Sequence, residues 1–131
     1  MKKRLSVVAA LLRDGDRILL GKRPEGNARA GLWELIGGKV ENGETEEEAL
    51  AREIFEETGA EISVFGKVGE TDYDGPDVSI RLSLYESVLT GQGPEALEHS
   101  EIGWFAPGEI PWDTLCPADR TLLENIYPHQ D

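Results

Sequence analysis

The chain has 131 residues, 39% hydrophobic and 30% charged, the balance of one globular domain over residues 1–131 and not of a disordered or membrane-spanning chain. Its one cysteine, Cys116, excludes an intrachain disulfide framework and a multi-cysteine zinc site. There are 26 acidic against 13 basic residues, a net charge of −13, so a nucleic acid polymer is repelled and a phosphate-bearing ligand must be met by local basic groups, metal ions, or both.

The start, MKKRLSVVAALL, mimics a signal peptide, but Arg13, Asp14 and Asp16 follow at once with no small-residue cleavage pattern. No run reaches the ~18 apolar residues that cross a bilayer. A cytoplasmic protein is expected, with no membrane contact and no obligate protein partner implied. Residues 4–12 read as a buried strand, Asp14-Gly15 as a hairpin turn and residues 17–23 as a second strand. A loop from Pro24 to Gly31 leads into LWELIGG, where Gly37 and Gly38 mark a tight backbone feature. Thr45 and Glu48 form a capping-box pattern that opens a helix, and Gly59 closes it. Residues 61–70 and 77–89 read as strands, 102–105 as a short strand, and 117–126 as a C-terminal helix with Pro117 in its first turn. The order of elements predicts an α/β (α+β) fold, a mixed β-sheet sandwiched between helices.

On the first helix, at 100° per residue, Glu57 falls about 40° to one side of Glu53 and Glu56 about 60° to the other. Leu50, Ile54, Ala51 and Phe55 fall between about 60° and 200°, a separate apolar face expected to contact the core. Clustered carboxylates suit Mg²⁺ or Mn²⁺, which prefer hard oxygen ligands. On helix evidence alone, a solvated acidic face remains the alternative.

The surrounding spacing is more specific. Gly38 is followed by five residues, Glu44, seven residues, and then REIFEETGA from Arg52 to Ala60. Gly38, Glu44, Arg52, Glu53, Glu56, Glu57 and Gly59 supply every fixed letter of the Nudix box, with Ile54 at its first bulky aliphatic position. Ala60 at the last such position is smaller than usual. At average residue usage, such a register arises by chance in roughly one chain per million. The chain therefore resembles a Nudix hydrolase along essentially its whole length. The resemblance implies a fold of the kind predicted above and a divalent metal, Mg²⁺ or Mn²⁺, bound on a diphosphate. Glu53, Glu56 and Glu57 would be ligands, the Gly38 carbonyl a further one. Arg52 would orient the carboxylates by paired hydrogen bonds, and Glu44 would support the site.

Within that family the chain most resembles the MutT-like, CTP pyrophosphohydrolase-like branch, which cleaves (deoxy)nucleoside triphosphates to monophosphate and pyrophosphate. The resemblance rests on LLGKRP, GLWELIGGKVENGET, EHSEIGW and LCPADRTLL. It implies a nucleotide substrate, including modified or oxidised ones. Glu98 would be an additional metal ligand or general base, with His99 beside it a loop histidine of the structural or solvated kind. Arg23 and Lys39 would meet phosphates. Asp119 would read the base edge, or else serve the helix dipole, which its place in the first turn also explains. Trp33 and Leu35 would wall the base pocket or lie in the core. Tyr73 and Arg81 are further candidate contacts. Two alternatives stay open: an ADP-ribose or other nucleoside-diphosphate-sugar pyrophosphatase, for which Pro76 is a marker, and a nucleotide-binding module without hydrolysis.

Overall fold

The computed structural model describes residues 2–128. Its elements in chain order are β1 (Lys3–Asp14), β2 (Arg17–Lys22), β3 (Trp33–Glu34), β4 (Gly37–Lys39), α1 (Glu46–Thr58), β5 (Ile62–Asp74), β6 (Val78–Leu89), β7 (Glu101–Phe105) and α2 (Pro117–Ile126). The strands form one sheet whose main path runs β3-β2-β1-β6-β5, with β4 paired to β1 and β7 to β2. β1 is its axis. It runs parallel to β6 from Lys3 to Arg13, and on its other edge it pairs antiparallel with β4 through Val7, Val8 and Ala9. The other strand contacts, β1–β2, β2–β3, β2–β7 and β5–β6, are antiparallel, so the sheet is mixed as expected.

Alternation along β1 divides the interior. Val7, Ala9 and Leu11 face a core with Leu82, Leu84, Leu115, Leu122 and Leu123, under α2. Val8, Ala10 and Leu12 face a second core with Ile36, Leu50, Ile54 and Tyr85, under α1. Each buried leucine or isoleucine contributes about 1.5–3 kcal/mol. β5 runs past Glu70, where the sequence suggested an end, because Asp72, Tyr73 and Asp74 go on pairing with β6.

The ends of α1 match their sequence signals. The Thr45 hydroxyl accepts from the Glu48 N–H at 3.1 Å, and the Glu48 carboxylate accepts from the Thr45 N–H at 2.9 Å. Gly59 closes the helix in the left-handed conformation, φ 75°. The expected apolar face of α1 holds at Leu50 and Ile54 and fails at Phe55. Phe55 is 58% exposed and Ala51 is half-buried, while Ala49, Leu50, Ile54 and Thr58 are buried. The buried sector is rotated towards the acids, so Glu53 and Glu57 border it, with side chains only 19% and 14% exposed.

The cause lies in β4. A Cβ on Gly38 would stand 1.6 Å from Glu53 Oε2, and one on Gly37 would stand 1.8 Å from the Val8 carbonyl oxygen. The glycine pair lets α1 and β1 close on the strand between them. Gly37→Ala forces backbone apart, and a loss of about 3 kcal/mol is expected in urea unfolding. Phe55→Ala, on the exposed side of the same helix, should stay within about 0.5 kcal/mol of wild type.

Candidate active site

Arg52 is the hub of the acidic surface. Its Nε and Nη2 donate to the two Glu44 oxygens at 2.7 and 2.9 Å. Nη1 donates to Glu53 at 2.9 Å and to Glu56 at 3.0 Å, and Nη2 also donates to the Lys39 carbonyl at 3.0 Å. One planar, permanently charged fork thus ties the loop before α1, the end of β4 and α1 itself. The guanidinium, with the Glu41 N–H donating to the same carboxylate, holds Glu44 down at about 2.

Glu53 and Glu57 show the opposite tendency. Burial, the larger cause, pushes Glu53 up against the lowering effect of Arg52. Burial, followed by the charges of Glu53, Glu98, Glu34 and Glu56, pushes Glu57 up to about 8. Arg52 does not offset this crowding at Glu57. The donors are carboxylate oxygens on neighbouring turns of one helix, joined by Glu98 from the loop before β7. Such a hard-oxygen set suits a divalent cation and fits the requirement that the box resemblance carries. Glu57 and Glu98 line one recess, and Glu53 and Glu56 share the Arg52 guanidinium; among the described residues no three of these four bring ligand atoms within 4.8 Å of one another.

Glu57 also lines a cleft of about 440 Å³, within the range of small-molecule sites. Val7, Ala9, Leu35, Ile80 and Leu82 give it an apolar wall, and Gly37, Gly38, Lys39, Arg23 and Asp119 supply its polar positions. Tyr73 stands at its side, with the Arg29 guanidinium 5.0 Å from the ring centre. A smaller polar recess of about 180 Å³ joins Arg23, Glu34, Glu57, Glu98 and His99.

Asp119 is buried, and its Oδ1 accepts from the Leu35 N–H at 3.0 Å. The carboxylate thus straps the start of α2 to the segment between β3 and β4, a role beyond the helix-dipole and base-contact readings. Burial pushes it up to about 7. The Cys116 thiol is pushed up to about 12 by burial. Glu34, Cys116 and Asp119 bring possible ligand atoms within 4.8 Å of one another. The tendency of Cys116 and Asp119 to keep their protons suits that trio to hydrogen bonding more than to a cation.

Arg23 and Lys39 both reach the cleft, but Arg23 is already engaged, donating to Glu34 Oε1 at 3.0 Å and to the Ala28 carbonyl at 2.7 Å. Leu35 lines the cleft. Trp33 is not among the lining residues; its ring packs edge-on against Phe105, with centres 5.0 Å apart, beside the core under α2. Arg81 pairs with Asp72 at 3.2 Å on the outer part of the sheet. Pro76 sits in the turn between β5 and β6. Sequence reasoning passed over Glu34 and Arg29. The available signal for Glu34 was a lone charge inside the apolar run LWELI; Arg29 left none, being one more polar residue of an exposed loop.

The raised Glu57 carboxyl has a measurable consequence. Without metal, the folded state holds a proton that the unfolded state releases near 4.5, so stability falls as pH rises from 4.5 to about 8. Melting temperatures of chelator-treated protein should fall across that window, Asp119 sharing in the fall up to about pH 7, and Glu57→Gln should remove the part of the fall that continues from about pH 7 to 8.

A profile described as the NUDIX domain matches residues 2–126. The CTP pyrophosphohydrolase of Escherichia coli (strain K12) is 38% identical over 122 residues, covering 93% of this chain and 90% of its own length. The oxidized purine nucleoside triphosphate hydrolase of Mus musculus is 32% identical over 105 residues, covering 79% of this chain and 67% of its own. The crystal structure of a MutT protein from Methanosarcina mazei Go1 aligns with a TM-score of 0.83 at 28% identity, covering 95% of this chain and 93% of that one.

Proposed function

The chain belongs to the NUDIX domain family, and from that premise we propose that it is a Mg²⁺-dependent pyrophosphohydrolase of (deoxy)nucleoside triphosphates, oxidised or otherwise modified ones included, releasing nucleoside monophosphate and pyrophosphate. The observation that carries this reading is that Glu57 lines the same cleft as Asp119 and Leu35. One of the carboxylates assigned to the cation, Glu57, therefore opens onto a pocket with an apolar wall and hydrogen-bonding groups, as a nucleotide requires. The names carried by the relatives from Escherichia coli and Mus musculus support the substrate class.

In this reading the base enters between Leu35 and Tyr73, with Asp119 presenting a carboxyl group to its edge. Lys39 meets the phosphate chain, joined by Arg23 on release from Glu34. Glu53, Glu56 and Glu57 would hold the divalent cation, with the Gly38 carbonyl as a further ligand, and the cation would supply neutralisation of phosphate charge and a lowered pKa for the attacking water. Arg52 keeps the α1 carboxylates in place through its links to Glu44 and Lys39. Glu98, in the loop before β7, would take the proton of the attacking water, a role its place beside Glu57 in the smaller recess supports. The water oxygen bonds to the β-phosphorus, the bond from that phosphorus to the α–β bridging oxygen breaks, and the monophosphate leaves with that oxygen.

Purified protein with Mg²⁺ and a panel of common and modified nucleoside triphosphates, beside ADP-ribose and dinucleotides, tests the reading by product identity. Monophosphate plus pyrophosphate is expected; hydrolysis of ADP-ribose alone would replace the substrate class. Glu57→Gln should lower kcat by at least about a hundredfold, the upper end seen on disturbing a partner of a metal ligand, while the fold is kept. A turnover number unchanged in that variant would refute the assignment. Asp119→Asn preserves an acceptor for the Leu35 N–H and should change the ranking of bases more than the rate on any one of them. An equal loss on every nucleotide would leave Asp119 as the strap between α2 and β3–β4 alone.

A further inference from the structure

Between the cleft and α1 lies a side chain that the proposed reaction does not use. His99, in the loop before β7, has a side chain only 4% exposed. Its ring lies against Gly21 of β2, where a Cβ would come within 2.6 Å of it. The adjacent Ser100 fixes the loop to the same strand, its N–H donating to the Lys22 carbonyl at 3.1 Å and its hydroxyl at 3.3 Å. The imidazole is thereby held on the backbone of the sheet.

Its two nitrogens face different parts of the site. Nε2 lies 2.9 Å from Glu34 Oε2, and the other Glu34 oxygen accepts from Arg23 at 3.0 Å. Nδ1 is buried, has no hydrogen-bond partner, and stands 3.9 Å from Glu57 Oε1. Buried polar atoms are rarely left unpaired, and this one faces a carboxylate of α1. That distance is beyond a direct hydrogen bond, so the ring and the carboxylate act on one another by contact and charge. The polar recess of about 180 Å³ lined by Glu34, Glu57, Glu98 and His99 adjoins this contact.

We propose that His99 is a positioning residue that couples the Arg23–Glu34 pair of the cleft to Glu57 of α1. The inference rests on the reading of Glu57 as a ligand of the catalytic cation and adds how that ligand is oriented. A substrate that draws Arg23 away from Glu34 changes the pull of Glu34 on the imidazole, and the imidazole passes the change to Glu57. Cleft occupancy and carboxylate geometry are then one linked variable.

The test uses Mn²⁺ alone as probe, with its affinity read from the free-ion EPR signal without substrate, beside kcat, KM and melting temperature. His99→Phe keeps the ring volume against Gly21, and His99→Gln keeps a hydrogen-bonding end in case the first variant folds poorly. His99→Phe should weaken Mn²⁺ binding about tenfold and lower kcat with KM little changed. His99→Gln should recover part of both. Glu34→Gln should shift Mn²⁺ affinity several-fold in the wild type and less than about twofold when combined with His99→Phe. Equal shifts in both backgrounds mean that Glu34 acts on Glu57 through space, which overturns the coupling. A lowered melting temperature with Mn²⁺ affinity and kcat unchanged overturns it as well, leaving His99 as packing above Gly21. Mn²⁺ affinity unchanged by Glu57→Gln overturns the functional reading, and this proposal with it.

Discussion

The approach of α1 to β4 is the contact on which the rest of the site depends. Gly38 leaves no side chain between the helix and the strand, and Glu53 occupies the space that its Cβ would take, while Gly37 lets β4 close on the β1 backbone. The contact draws a charged helix face towards the interior. Glu53 and Glu57 therefore sit at the rim of the core, with Leu50 and Ile54 buried beside them. Had the helix settled on Phe55 and Ala51, the acids would lie further out in water, where a carboxylate holds a cation less firmly.

Drawing acids inward has an electrostatic cost, and the protein meets it unevenly. Arg52 compensates Glu44 fully, with two hydrogen bonds to one carboxylate, and Glu53 and Glu56 in part. Glu57 receives no guanidinium contact and keeps the largest upward displacement on the helix. The carboxylate with least compensation is thus the one that faces the cleft. In a chain of net charge −13, this is where a polyphosphate could not approach without cations.

The cleft joins both layers of the fold. Its apolar wall comes from the α2 side of β1 and β6, and its acidic end comes from α1 on the other side of the sheet. β4 is where the layers meet, because it pairs with β1, the axis of the sheet, and carries Gly38 beneath α1. Asp119 closes the opposite end by strapping α2 to the segment after β3.

The sequence by itself determined the order and type of the elements other than β3 and β4, the capping of α1 by Thr45, Glu48 and Gly59, the mixed sheet, and the family through the spacing from Gly38 to Gly59. These are local signals: period, turn chemistry and fixed spacing act within a few residues of one another. Only the tertiary structure decided which way α1 faces. A helical wheel gives the angles between residues but not which sector a neighbouring strand will cover, and here Gly38 of β4 lies against the sector that holds Glu53. The tertiary structure also put Trp33 against Phe105 and brought Glu34 to His99 across 65 positions of sequence. Strand pairing and loop return set such contacts, and no short-range pattern in the chain encodes them.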